Sequence, residues 1–428
     1  MKNVIILADD LTGANDVGVQ LLDLGLSCGS LIFKSIKKLK EEYKKVISYV
    51  DIPIIDTESR LIASNEAYKR LKNLLKFLKK YGVQQYYKKI DSTLRGNIGS
   101  EIDACIEELN LDLVPVVPAF PEMRRITVYG NHYVNGKLLE NSEFADDILS
   151  PVRTSYLVDL INKQSKYKCG IIDIDVVNKN SDFIYRVINR LKQDGIRILV
   201  FDCKTNKDLK NISNAIRNFK LVCGASILAK EIFKDEAKDN NNASRYQNHI
   251  VLSNRVACII GSLKQTTAKQ VEYIKKRYNT YVLKISSKTL LNNTSLIKRI
   301  IFKNMKKDII VCLSNDIDSI NYISKLIRNS NMQLISKKLG EIAEYFVNEL
   351  KFNKLVLSGG ATAVSVCNRL NIPFLLLIKR IFTGVPLTTF QRLYIVTKPG
   401  GFGNKDALVK IFKILKNIGG RVDYTKRS

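Results

Sequence analysis

The sequence of 428 residues carries 69 Lys and Arg against 41 Asp and Glu, a formal net charge of +28, with 45% hydrophobic and 26% charged residues. This is a globular composition rather than a disordered one. The length suggests two substantial domains, each able to bury a core, and excludes a small disulfide scaffold.

The lysines are spread along the whole chain beside abundant Asn and Ile, so the charge reads as a general residue bias before it reads as a phosphate-binding patch. From the N-terminus, MKNVIILADD reaches carboxylates after an apolar run too short for a signal peptide or a membrane span, and no later apolar stretch approaches about 18 residues. The eight cysteines (Cys28, Cys105, Cys169, Cys203, Cys223, Cys258, Cys312 and Cys367) stand far apart, with no CxxC pair and no neighbouring His. That speaks against structural zinc and a secreted disulfide framework. A reduced, cytoplasmic setting without a membrane partner is expected.

Short apolar runs alternate with longer amphipathic segments, the pattern of a mostly parallel sheet covered by helices. Strands are predicted at 4–8, 46–55, 85–90, 114–117, 170–174 and 196–201, with helices among the segments between them, such as 67–81 and 182–193. A polar, Asn-rich stretch at 234–248 is the linker candidate. A second α/β series follows, with strands at 256–260, 280–285, 308–313, 354–357, 374–378 and 393–397 and helices at 265–277, 336–348 and 406–415. Two such domains facing one another would leave a cleft, and ligands bind at strand C-termini in sheets of this kind.

Three segments of the first series concentrate chemistry. Asp9 and Asp10 follow the first strand and precede a helix start; they either accept protons and hydroxyl hydrogen bonds or merely cap the helix. Lys89-Ile90-Asp91-Ser92-Thr93-Leu94-Arg95-Gly96-Asn97 packs an acid, two hydroxyls and a planar cation into one loop after a strand, more than a simple connection requires. Pro118 to Arg125 forms a rigid loop ending in a second candidate anion clamp, Arg125, and Asn135-Gly136 is a hairpin turn. His132, beside that turn, reads as structural rather than catalytic.

The second series lacks a P-loop and a GxGxxG element. It has instead three glycine-bearing turns after strands: Gly261-Ser262, with Gln265, Thr266 and Thr267 just beyond; Ser358-Gly359-Gly360-Ala361-Thr362; and Lys398-Pro399-Gly400-Gly401-Phe402-Gly403-Asn404. Turns of this kind at helix N-termini present N–H groups to an anion, and three in one domain point to nucleotide phosphates.

Together these segments resemble the four-carbon acid sugar kinase family. ADDLTGA at 8–14, KIDSTLRGN at 89–97, PAFP at 118–121, HYVNG at 132–136, FADD and SPV within 144–152, SGGAT at 358–362 and KPGGFG at 398–403 occur in order over essentially the whole chain. The resemblance implies an α/β fold of two domains, each a mostly parallel sheet flanked by helices, with the active site in the cleft between them. Residues 1–235 would bind the sugar acid, 236–250 would link, and 251–428 would bind the nucleotide. The implied activity is ATP-dependent phosphorylation of a terminal hydroxyl on a threonate, erythronate or 3-oxo-tetronate type acid, with Mg²⁺ bridging the phosphates.

In that frame Arg95 and Arg125 take the substrate carboxylate, and Asp10 and Asp91 hold its hydroxyls, with Asp9, Lys89 and Ser92 beside them. Asp10 is the expected base, with Asp9 and Asp91 as rivals; no metal ligand is assigned. Ser262, Gly359, Gly360, Ala361, Thr362, Gly400, Gly401, Gly403 and Asn404 are expected at the nucleotide, and Lys89 and Lys398 are cations beside the anion sites. The chain departs from the family where Arg124 replaces a usual Gly, Ile126 a Thr and Tyr129 an Asp, all on the substrate side. No nucleic-acid partner is expected, and a homo-oligomer is allowed. The rival reading from another class is a non-enzymatic, basic nucleotide- or RNA-binding protein.

Overall fold

The computed structural model describes residues 3–147, 150–238, 253–314, 316, 318–319, 322 and 333–418. The chain divides into two compact units, Met1–Asn240 and Asn241–Ser428. The linker expected at 236–250 lies, from residue 239 onward, outside the described residues.

The first unit is built on strands β1 (Val4–Ala8), β2 (Cys28–Ile32), β3 (Ile52–Asp56), β4 (Gln85–Lys89), β5 (Val114–Val117), β9 (Cys169–Ile172), β10 (Ile198–Phe201) and β11 (Leu221–Gly224). They lie in the order β2-β3-β1-β4-β11-β5-β10-β9, every pairing parallel. A separate antiparallel ribbon joins β6 (Arg125–Val128), β7 (Asn131–Val134) and β8 (Lys137–Leu138). Asn135 and Gly136 both take positive φ, 53° and 81°, closing the tight turn their sequence predicts.

Helices cover the sheet, so β1 is buried at every position, and a strand wet on neither face can be apolar throughout. Strand order reverses direction between β1 and β4, which makes their carboxyl ends the place where an open α/β sheet leaves a crevice. The helix Leu11–Leu22 begins there because Asp10 is extended and its carboxylate accepts from the Gly13 N–H at 2.8 Å.

The second unit holds β12 (Ala257–Ile260), β13 (Thr280–Ile285), β14 (Asp308–Leu313), β15 (Lys354–Ser358), β16 (Phe374–Phe382), β17 (Val385–Phe390) and β18 (Leu393–Lys398) in the order β13-β14-β12-β15-β18-β17-β16. The first five run parallel; β18, β17 and β16 form antiparallel hairpins. The order β13-β14-β12-β15 repeats the order β2-β3-β1-β4, so a reversal again falls between the first and fourth strands. The helix Ala407–Asn417 packs Leu408, Ile411, Phe412 and Leu415 into the core under β12, β15 and β18, the spacing of a single helical face.

Both sheets are mostly parallel and flanked by helices, as expected. The strand predicted at 46–55 needs correction: residues up to Ile47 belong to the helix Ile36–Ile47, whose Tyr43 and Val46 are buried, and the strand starts at Ile52. All eight cysteines are buried free thiols. No described helix is long and apolar enough to cross a membrane.

Candidate functional site

In the first unit the site is built from the carboxyl ends of β1, β3 and β4. Arg60, four residues past β3, lays its guanidinium against both adjacent carboxylates: Nε and Nη2 donate to Asp9 at 2.8 Å each, and Nη2 also donates to Asp10 Oδ1 at 2.7 Å. Burial pushes the Asp9 carboxyl up, but the charge and hydrogen bonds of Arg60, with the Lys88 and Lys89 charges, together hold the group below its usual value. Asp10 is the most open of the three candidate carboxylates, its side chain 15% exposed against 3% for Asp9 and 9% for Asp91. A Cβ on Gly13 would stand 2.7 Å from Asp10 Oδ1 and 3.2 Å from Lys89 Nζ, so this helix turn can approach both groups only as glycine.

Beside Asp10, Glu58 sits in a left-handed turn (φ 48°) and is pushed up to about 7 by burial and by the Asp10 charge. Beneath the site Lys88 and Glu101, both buried, pair at 3.1 Å.

The loop after β4 makes a second cluster. Asp91 Oδ2 accepts from Arg95 Nε at 2.6 Å and from the Thr93 hydroxyl at 2.5 Å. Burial opposes its charge, yet Arg95 and Arg60 hold it well below the ordinary carboxylate range. Arg95 also donates to Asp147 at 3.3 Å. Arg125, the first residue of β6, donates to the Ser92 hydroxyl, and both guanidiniums lie over the Phe144 ring, at 5.2 Å for Arg95 and 5.7 Å for Arg125. The structure therefore brings Asp91, Ser92, Arg95 and Arg125 together.

Lys89 is buried and donates to the Ile90 carbonyl at 2.8 Å. His132 is fully buried, hydrogen-bonded to Thr127 at 3.0 Å and pushed down to about 3 by burial and the Arg125 charge, the behaviour of a structural imidazole. Two of the family departures face elsewhere. The exposed Tyr129 donates its hydroxyl to Asp175 at 3.2 Å, and the exposed Arg124 occupies a left-handed position (φ 53°) where a glycine is at ease.

Sequence reasoning missed Arg60. The available signal was the polar run Asp56-Thr57-Glu58-Ser59-Arg60 directly after an apolar strand. It also missed Phe144 as a platform, although FADD was singled out.

In the second unit the three glycine turns leave the adjacent parallel strands β12, β15 and β18 at matching positions, with Ile260 opposite Ser358 and Ser358 opposite Lys398. They are stitched together: Gly261 N–H donates to Ser358 O at 3.0 Å and Gly359 N–H to Lys398 O at 2.9 Å. A Cβ on Gly261 would fall 2.1 Å from Thr362 Oγ1, and one on Gly400 2.1 Å from Ser262 Oγ, so Ser262 and Thr362 lie at the centre of the convergence. Gly359, at φ 112°, precedes the helix Gly360–Arg369, whose N-terminus with Gly360, Ala361 and Thr362 faces this point.

The third turn is held from within. Thr267 donates to Gly400 O at 2.5 Å, and Gln270 Nε2 to the carbonyls of Phe402, Gly403 and Asn404 at 2.9 to 3.1 Å. Lys398, expected as a cation beside an anion site, adjoins this turn with its fully buried ammonium donating to the Pro399, Gly400 and Phe402 carbonyls at 3.0, 3.3 and 3.2 Å. A cavity of 590 Å³ adjoins the turns, reaching from Ser262 and Lys264 to Tyr273 and Lys405.

Comparison with known proteins matches residues 4–232 to the family described as the sugar-binding N-terminal domain and 257–408 to the nucleotide-binding C-terminal domain. The chain is 29% identical to a D-erythronate kinase of Heliobacterium modesticaldum over 95% of both chains. It is 26% identical to a 3-oxo-tetronate kinase of Haemophilus influenzae over 94% of this chain and 97% of the other, and 25% identical to a D-threonate kinase of Salmonella typhimurium over 95% and 96%. Among solved structures, a Salmonella typhimurium protein titled a putative tRNA synthase superposes with TM-score 0.74 at 23% identity over 95% of this chain and 98% of that one. A Haemophilus influenzae protein of the family DUF1537 does so with TM-score 0.71 at 24% identity over 96% and 100%. These two likenesses show a shared fold.

Proposed function

From the premise that the chain belongs to the four-carbon acid sugar kinase family, joining a sugar-binding N-terminal domain to a nucleotide-binding C-terminal domain, we propose that it transfers the γ-phosphoryl group of ATP to the terminal hydroxyl of a four-carbon sugar acid of the threonate, erythronate or 3-oxo-tetronate type. The observation that carries the reading is the cluster of the buried Asp91 and Arg125 with the half-buried Arg95 beside Phe144. Two guanidiniums on one apolar platform form a desolvated fork for a small carboxylate, where charge-assisted hydrogen bonds are strongest.

Asp91 keeps its charge beside them and suits a substrate hydroxyl. Asp10, the most open carboxylate, takes the proton of the attacking hydroxyl. The loose transition state of phosphoryl transfer places little demand on proton removal, so a carboxylate suffices there. In the second unit the N–H groups and hydroxyls at Ser262, Gly359 to Thr362, and Gly400 to Asn404 receive the phosphates.

Mg²⁺ fits this donor set only as an ion carried by the nucleotide. The turns offer the hydroxyls of Ser262 and Thr362 rather than carboxylates, and among the described residues no group of three His, Cys, Asp or Glu is placed to hold a metal. Mg²⁺ usually rests on phosphates and water with few protein ligands, and it supplies charge neutralisation.

The test is ADP release from ATP over a panel of D- and L-threonate, D- and L-erythronate and the 3-oxo acid. Turnover of one of them supports the reading. No turnover on any, together with salt-sensitive RNA binding, favours a nucleic-acid role instead.

A further inference from the structure

We propose that Lys398 is a positioning residue for the nucleotide: it holds the carbonyls of the third glycine turn inward, so that the amide N–H groups of that turn point outward to the phosphates. This rests on the nucleotide reading above. An ammonium has three N–H donors and no acceptor; on Lys398 all three are engaged, by Pro399, Gly400 and Phe402 carbonyls. In a trans peptide the C=O and the following N–H point in opposite directions. Fixing these carbonyls inward therefore turns the N–H groups of Gly400, Gly401 and Gly403 the other way. Those three N–H groups donate to no protein acceptor among the described residues, so they are available to an anion.

A lysine at the end of a strand in a phosphate site would ordinarily reach for the ligand. Here the side chain is 0% exposed and turned into the protein. Its charge still favours an anion at the turn, but through the backbone dipoles it aligns. Among the described residues the titratable group acting on it is Cys258 on β12, its thiol raised by burial, while Ser358 lies opposite it on β15 and the uncharged Thr267 and Gln270 of the helix Gln265–Lys275 hold the same turn's carbonyls.

Two measurements test the assignment. The first is ADP binding by calorimetry to the full chain and to Lys398→Met, which keeps the length of the side chain but donates nothing. Binding about tenfold weaker or worse is expected in the variant, with amide exchange faster in the 399–404 peptide and unchanged in the first unit. The second requires no variant: burial brings the Lys398 ammonium down to about 8, so ADP affinity of the natural protein should fall between about pH 7 and 9, where the phosphates are already ionised. Above that value the amine keeps two donors and one carbonyl is released. A folded Lys398→Met protein that binds ADP as tightly as the natural one, or a natural protein whose affinity is flat over this range, overturns the proposal. A natural protein that binds neither ADP nor ATP overturns the nucleotide reading itself, and this proposal with it.

Discussion

Asp10 is asked to do two things, to cap a helix and to receive a proton, and a single substitution separates them. Asp10→Asn can still accept the Gly13 N–H, so the helix start should persist at a cost of under about 1 kcal/mol, while kcat should drop by about 10² to 10⁴ and ADP affinity should hold. Steady-state kinetics paired with ADP calorimetry decides, and an unchanged kcat removes Asp10 from the chemistry. His132 offers a pH experiment. The folded protein holds this imidazole neutral down to about 3, whereas an unfolded chain protonates it near about 6.5. Between those values the unfolded state binds one more proton, so stability is complete above the upper value and falls as pH drops, by up to about 1.4 kcal/mol per pH unit. In His132→Asn the acid limb of the urea midpoint should lose that slope. Much at this scale was legible in the sequence: Asp91, Ser92, Arg95 and Arg125 meet as their types suggested. Arg60 was not, because its value depends on carboxylates about fifty residues earlier, and only the order of β3 beside β1 places them within 2.8 Å.

At the level of elements, the three glycine turns make a contrast that sequence could not draw. Gly400 and Gly401 are neighbours in one motif, yet a methyl on Gly400 would meet Ser262 Oγ at 2.1 Å, while one on Gly401 meets nothing within 4 Å. Gly400→Ala should therefore lower the melting temperature by several degrees, and Gly401→Ala should leave it unchanged while weakening ADP binding wherever a phosphate must approach the backbone. Calorimetric melting and binding on both variants read the difference. The strands that escaped sequence reading have physical reasons. β2 carries Cys28, Gly29 and Ser30, poor strand formers kept extended by parallel pairing with β3. β17 contains Pro386 between two partner strands, and the ladder to β16 slips between Arg380 and Phe382, close to where that proline has no N–H to give. Turn glycines and capping residues act locally and can be read from the sequence, whereas a short buried strand is recognisable chiefly from what pairs with it.

For the molecule as a whole, two units with separate cores predict two calorimetric transitions rather than one. ADP should raise only the transition of the nucleotide-binding unit, by RT ln(1 + [L]/Kd), about 2.7 kcal/mol at a hundredfold excess over Kd, and the correct sugar acid should raise only the other. A single transition moved by both ligands would instead mean that the units melt together. The net charge of +28 acquires a similar division. A few cations are placed, with Arg60 and Arg95 gripping carboxylates, Arg125 the Ser92 hydroxyl and Lys398 carbonyls, and the remainder is a dispersed background. The glycine turns have a last consequence for how the protein is made. They come from distant points of the chain, and during synthesis the Gly261 and Gly359 turns emerge first and must wait for Pro399 to Gly403 and for the closing helix that packs beneath them. On the proposed reading, a nascent chain therefore has no grip on nucleotide until Gly403 has left the ribosome, and a chain stopped just upstream of Lys398 would keep its sugar-acid segments and have no means of taking up the phosphoryl donor.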